Sequence, residues 1–236
     1  MLRLHDTLRD SVVPVVPAGA RALRMYISAS PDPLAYLLPD LVRRVIERNG
    51  LRVLTHGDAH EPGAPLALNV HLSPPLPYAG EPVDLVLGPG GPDGRHRVVG
   101  GPLLFEGRAA TATLVTDVEA AGLDPLAVRL AFLEHHYRGL VDLTWDLLRS
   151  ADRTVRRWRG RVARWAESPS GPIAKEPAAR VLEAFDDDLD TSRALRLVRE
   201  LEIDESVAPG SRFETFLYLD HILGLDLSSD IGKLLA

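Results

Sequence analysis

At Gly122 the hydrophobic period of this chain changes, and that change limits the possible folds more than any other feature. Before it, residues 22–28 have strand-like apolar and aromatic content. Residues 37–49 then place Leu37, Leu38, Leu41, Val42, Val45 and Ile46 at spacings of three and four, and residues 51–54 read as a short strand. Gly50 stands where a helix C-cap belongs. Strand, helix, strand is the unit of a parallel sheet. After Gly122 the chain reads as helical. Asp124 suits an N-cap and Pro125 the first helical position. In residues 143–167, Leu148, Ala151, Val155, Trp158, Val162 and Trp165 form one apolar face over roughly five turns. Helices over 177–186, 192–201 and 212–223 follow, the last stopped by Gly224. The expected class is α/β, then all-α.

Residues 61–102 interrupt this order with Pro and Gly, leaving strand candidates at 66–72 and 83–87. The run Gly88-Pro-Gly-Gly-Pro-Asp-Gly94 reads as loop, either a plain connection or a cradle for a phosphate. Ser168-Pro-Ser-Gly-Pro172 reads as a linker. The expected organisation is an α/β domain over 1–122, connecting helices over 123–170 and a small helical domain over 171–236.

Composition removes several chemistries. The 236 residues include no cysteine, so disulfides, thiolate nucleophiles and thiolate-bound zinc are excluded. A net charge of −6 argues against general coating of nucleic acid. Of 27 Lys plus Arg, Lys175 and Lys233 are the only lysines. No apolar run reaches membrane-spanning length and the first residues lack a signal-peptide core, so the expectation is a cytoplasmic protein with no membrane partner.

Several clusters invite a functional reading. His56 and His60 flank Gly-Asp-Ala and are weak metal candidates; exposed loop histidines are the simpler reading. Arg149, Arg153, Arg156, Arg157 and Arg164 fall opposite the apolar stripe of their helix, flanked by Arg159 and Arg161. Such a row can track phosphates of RNA, or can be a solvated face paired with acids such as Asp186, Asp187, Asp188 and Asp190. The acidic run 186–191 reads as an interhelical turn in which Asp190 or Thr191 caps the next helix. Tyr137 continues an apolar face, and the tryptophans 145, 158 and 165 read as core.

The segments Leu2-Arg-Leu-His-Asp-Thr-Leu8, Met25-Tyr-Ile27, Tyr36-Leu-Leu-Pro-Asp-Leu-Val-Arg-Arg44 and Gly101-Pro-Leu-Leu-Phe-Glu-Gly-Arg108 resemble parts of cysteinyl-tRNA synthetases, most of all a divergent actinobacterial branch. So do Asp124-Pro-Leu-Ala-Val-Arg-Leu-Ala-Phe-Leu-Glu-His-His-Tyr-Arg138, Leu143-Thr-Trp-Asp146, residues 181–191 and residues 213–227. The resemblance implies a reduced Rossmann-like class I synthetase nucleotide fold followed by a helical bundle region. It extends to the cysteine ligase of mycothiol synthesis. Such enzymes activate cysteine with ATP through three devices. The zinc-binding Cys corresponds here to Ser28. The His-x-Gly-His motif is missing, because residues 30–36 run straight into the helix. The Lys-Met-Ser-Lys-Ser loop is replaced by Arg108-Ala-Ala-Thr111-Ala-Thr113. These departures make zinc unlikely and no catalytic residue or cofactor is expected. The leading expectation is a truncated, degenerate paralogue that has lost cysteine ligation and binds tRNA, another RNA, a full-length synthetase or another protein. The alternative is an ATP- and Mg-dependent ligase activating an amino acid through a non-standard site.

Overall fold

The computed structural model describes residues 1–28, 33–57, 64–72, 76–111 and 113–233. Strands β1 (Arg3–Asp6) and β2 (Ser11–Pro14) form an antiparallel hairpin. Then come β3 (Ala22–Ile27), α1 (Leu37–Glu47), β4 (Arg52–Gly57), the single turn α2 (Ala64–Ala67), β5 (Val83–Leu87) and β6 (Gly94–Val98). These four strands make one parallel sheet in the order β4-β3-β5-β6. A second sheet contains β7 (Leu103–Phe105), β8 (Arg108–Ala109) and, after α3 (Thr113–Ala120) and α4 (Leu126–Leu133), β9 (Val141–Leu143). Helices α5 (Trp145–Trp165), α6 (Lys175–Asp186), α7 (Thr191–Ile203) and α8 (Pro209–Leu223) complete the chain. The α/β-then-helical expectation is met, with a parallel sheet consistent with a Rossmann-like fold.

Three expectations need correcting. Residues 66–72 are not a strand: α2 occupies their start, and Leu68 and Val70 are buried as single anchors rather than as an alternating face. The helical half also contains β9, which pairs in parallel with β7 and so ties that half back to the first. The third concerns residues 88–94, which lead into a strand. Parallel neighbours usually need a crossover of about a dozen residues or more, yet six residues, 88–93, return from the end of β5 to the start of β6. Extended chain covers about 3.3–3.6 Å per residue, so this segment must lie almost straight along the sheet. Glycine makes that possible. A Cβ on Gly91 would sit 2.4 Å from the Tyr26 ring, and one on Gly94 would sit 2.6 Å from Val86. The Pro/Gly run is a strap pressed onto the sheet face opposite α1.

The main core lies between the other face of that sheet, where Leu23, Met25, Leu85 and Val98 point, and the stripe of α1. It continues through α4 into Trp158, Phe185, Val198 and Phe216 of the terminal helices. All eight residues of α4 are buried, as an all-round apolar helix requires. The exception to its apolar character is Arg129, 1% exposed. Its guanidinium donates to the carbonyls of Leu223 (2.6 Å) and Leu68 (3.2 Å) and pairs with Asp40 of α1 at 2.8 Å. Arg44 and Arg43 grip the same carboxylate. Asp40 is thus where α1, α4 and the turn after α8 are joined. Gly224 closes that turn with φ +66°, and a Cβ there would come within 2.8 Å of the Arg129 guanidinium.

Candidate functional site

In open parallel sheets ligands bind beyond the carboxyl ends of the strands. Here that end carries Ser28, just after β3. Its hydroxyl donates to the Gly90 carbonyl (2.7 Å) and accepts from the Gly90 amide (3.2 Å), which anchors the strap. Arg97 of β6 grips the same segment, donating to the carbonyls of Gly88 (3.2 Å), Gly90 (2.7 Å) and Pro92 (2.9 Å). A phosphate cradle needs converging N–H groups. This strap instead converges carbonyls on a guanidinium, so it does not suit the phosphate role considered for residues 88–94. Ser28, the position corresponding to the family's zinc thiolate, has its hydroxyl committed to the strap. Hydroxyls are poor zinc ligands, and no group of three His, Cys, Asp or Glu is placed to hold a metal among the described residues. The donor set does not fit zinc.

Arg108, Thr111 and Thr113 lie elsewhere, on β8 and at the start of α3. Arg108 is exposed beside the tight Glu106–Gly107 turn, where both residues have positive φ. Glu106 accepts from the Trp145 amide and Asp142 from the Gly107 amide, so carboxylates fix this hairpin. The Thr111 and Thr113 hydroxyls bond to each other at 2.9 Å. No hydrogen bond or ion pair joins this hairpin to Ser28 among the described residues.

The arginine row of α5 is exposed as the wheel requires, but much of it is paired within the chain. Arg156 chelates Asp152 and reaches the Gly122 carbonyl. Arg157 holds the buried Glu202 of α7, which also accepts from the Trp158 indole at 2.8 Å. Arg159 bonds Asp124 and the carbonyls of Leu225 and Asp226. Arg149 pairs with exposed Asp146 and stacks near Trp145. Arg164 reaches only a carbonyl of its own helix, and Arg153 points outward. The acidic run is likewise absorbed: Asp186 meets Arg48 and the amino terminus, while Asp190 caps α7 through the Arg193 amide. Asp188 accepts from Tyr137 (2.6 Å), the His5 amide (2.8 Å) and Arg138 (3.1 Å). Burial first, then Asp188, pushes the Tyr137 hydroxyl well above the ordinary tyrosine range.

His56 is not a loop histidine. It lies in β4, 5% exposed, and neither ring nitrogen has a hydrogen-bond partner. His60, its proposed companion, falls outside the described residues.

Two clusters were not anticipated from the residues. One is Asp40 with Arg129, for which a lone arginine inside an apolar helix was the available signal. The other is Asp6, whose carboxylate accepts from the amides of Leu8 and Arg97 and from Arg9, and lies 3.1 Å from His96 Nδ1. Burial works to raise the carboxyl pKa of Asp6. The His96 contact, the two amides and Arg9 outweigh it and hold the group below its usual range. Asp40 is also depressed, because its arginines outweigh burial, Arg129 foremost. Groups with depressed folded values stabilise the protein above the unfolded value, near 3.8, and lose that contribution as pH falls through the folded values. Stability should therefore be flat from neutral pH to about pH 5 and drop below about pH 4. Urea midpoints at several pH values should show a shallower acid limb for Asp6→Asn; an unchanged limb would remove Asp6 from this account.

No protein-family model matches the chain. It is similar over part of its length to proteins named L-cysteine:1D-myo-inositol 2-amino-2-deoxy-alpha-D-glucopyranoside ligase. With that of Thermobifida fusca it shares 43% identity over 86 residues, 36% of this chain and 20% of the relative. With that of Acidothermus cellulolyticus it shares 36% over 113 residues, 48% and 27%. With that of Saccharomonospora viridis it shares 34% over 121 residues, 49% and 28%. The matched part spans only about a quarter of these relatives. No helix among the described residues is long and apolar enough to cross a membrane.

Proposed function

We propose that this chain derives from amino-acid-activating ligases of the kind it resembles and is built on their class I nucleotide-fold scaffold. The observation that carries this reading is the 34–44% identity to cysteine ligases. The parallel sheet and the helical half are consistent with it. On this reading the chain takes part in ATP-dependent activation of cysteine or a similar amino acid. The nucleotide would lie beyond the carboxyl ends of β3 and β5, and Arg108 would have to supply the cation for the phosphates. ATP–pyrophosphate exchange across a panel of amino acids tests it. Exchange above a no-amino-acid blank, lost in Arg108→Ala, is the expected result. Exchange no greater than the blank for every amino acid rejects it.

One observation favours a second reading, in which the scaffold binds a partner without ligating. The strap held by Ser28 and Arg97 directs carbonyls, not amides, towards the only guanidinium shown there. Removing one preorganised donor to a developing charge costs an enzyme about 3–4 kcal/mol, and this chain departs from the family's pattern at three such devices. The partner on this reading is tRNA or another RNA, met by Arg149, Arg153 and Arg164, whose guanidiniums are not tied to buried carboxylates. Absent exchange together with tRNA binding that weakens steeply with salt is its signature.

A further inference from the structure

A groove remains that neither reading uses. Arg43, Arg44, Glu47 and Arg48 of α1 and Tyr218, His221 and Ile222 of α8 line about 410 Å3 of open space. Helix α1 starts after the carboxyl end of β3 and returns to the start of β4, so its last turns lie at the opposite end of the sheet from Ser28.

Charge in this groove does not balance. Arg43, Arg44, Arg48 and, behind them, Arg129 share three carboxylates: Asp40, Glu47 and Asp186. The amino terminus also draws on Asp186. Asp220, beneath the groove, is shifted towards its neutral form by burial, against the pull of two backbone amides, so it offsets little of the surplus. Hydrogen bonding is incomplete as well. Arg43 spends both terminal nitrogens on Asp40 and Glu47, but its Nε–H is buried without an acceptor. A buried donor left unpaired costs free energy. On the facing wall Tyr218 and His221, three apart on α8, are exposed and have no side-chain hydrogen bond among the described residues.

Surplus guanidinium charge beside a free imidazole and an exposed phenol ring matches a phosphate carrying an aromatic base. Arginine recognises phosphate oxygens through charge-assisted hydrogen bonds, and bases stack on aromatic rings without regard to sequence. We propose that the α1–α8 groove binds a nucleotide phosphate, with the phosphate between His221 and the α1 arginines and the base resting on Tyr218. Glu47 is the one carboxylate lining the groove and opposes the ligand's charge. A free mononucleotide and a nucleotide within an RNA strand present the same chemistry.

Calorimetric titration of the full chain with inorganic phosphate, AMP and a short oligouridylate tests the proposal. AMP is expected to bind more tightly than phosphate, and binding should weaken as salt rises. His221→Glu places a charge of the wrong sign at the phosphate and should weaken AMP at least about tenfold. Tyr218→Ala should weaken AMP but leave phosphate unchanged. Glu47→Gln should tighten both about threefold, a gain that a purely structural role would not give. Because Tyr218 and His221 are far from the strap, their effects separate this groove from any nucleotide seated beside Ser28. Tighter binding of the oligouridylate than of AMP marks RNA as the source, and the reverse marks the free nucleotide. No saturable binding of any probe at millimolar concentration, or AMP binding indifferent to both α8 variants, overturns the proposal.

Discussion

Replacing Asp40 with alanine should lower the stability of this protein by about 3–5 kcal/mol, the usual cost of removing one partner from a buried ion pair. The reason is what stays behind. Arg129 is fully buried in α4, and its remaining partners are two carbonyls. One of its terminal nitrogens, Nη2, already lacks a partner. Burial lowers the Arg129 pKa to about 10 even with Asp40 opposing it. Without the carboxylate the folded chain would hold an uncompensated cation, and Arg43 and Arg44 would also lose their shared acceptor. Urea denaturation followed by circular dichroism measures the loss. The companion variant Arg129→Met, combined with Asp40→Ala, should recover part of it, since a buried pair replaced by apolar volume is often tolerated. A drop under about 1 kcal/mol for Asp40→Ala, the range of an exposed pair, would show that the cluster is wet rather than dry.

Trp158→Ala is expected to cost about as much, roughly 3–5 kcal/mol, by opening a cavity where three helices meet. Trp158 is fully buried on α5, lies edge-on to Phe216 of α8 with ring centroids 6.0 Å apart, and donates from its indole to Glu202 of α7. Trp158→Phe retains most of the volume but removes the donor. It should cost about 1–3 kcal/mol, the penalty of an under-satisfied buried acceptor. The difference between the two variants, read from urea midpoints, separates packing from the Glu202 bond. Equal losses would assign the whole effect to the carboxylate, and no loss in Trp158→Phe would assign it all to packing.

Much of the helical half was legible in the residues because its signals are local. The α5 stripe, the Asp190 cap and the left-handed Gly224 each act within one or two turns, and the structure shows all three. The arginine row was legible as a face but not as a set of partners. Asp124, Asp152 and Glu202 arrive from other elements or from the neighbouring turn, and spacing along one helix does not reveal which guanidiniums they occupy. At the candidate site, Ser28 and Arg108 were recognised as departures from a motif. That the Ser28 hydroxyl holds a glycine strap was not, because Ser28 and Gly90 are far apart in sequence and meet only through the β3–β5 pairing.

The residues alone determined the change from alternating strand and helix to helix only, the absence of thiol chemistry and the likeness to cysteine ligases, since composition, periodicity and motif are properties of the chain itself. Only the tertiary structure decided that residues 88–93 are a crossover strap, that His56 is buried without a partner and that one aspartate is shared by three arginines from two helices. Those outcomes depend on which surfaces lose water together. Burial turns an ordinary carboxylate or imidazole into a group that must find a partner, and the partners come from distant parts of the chain.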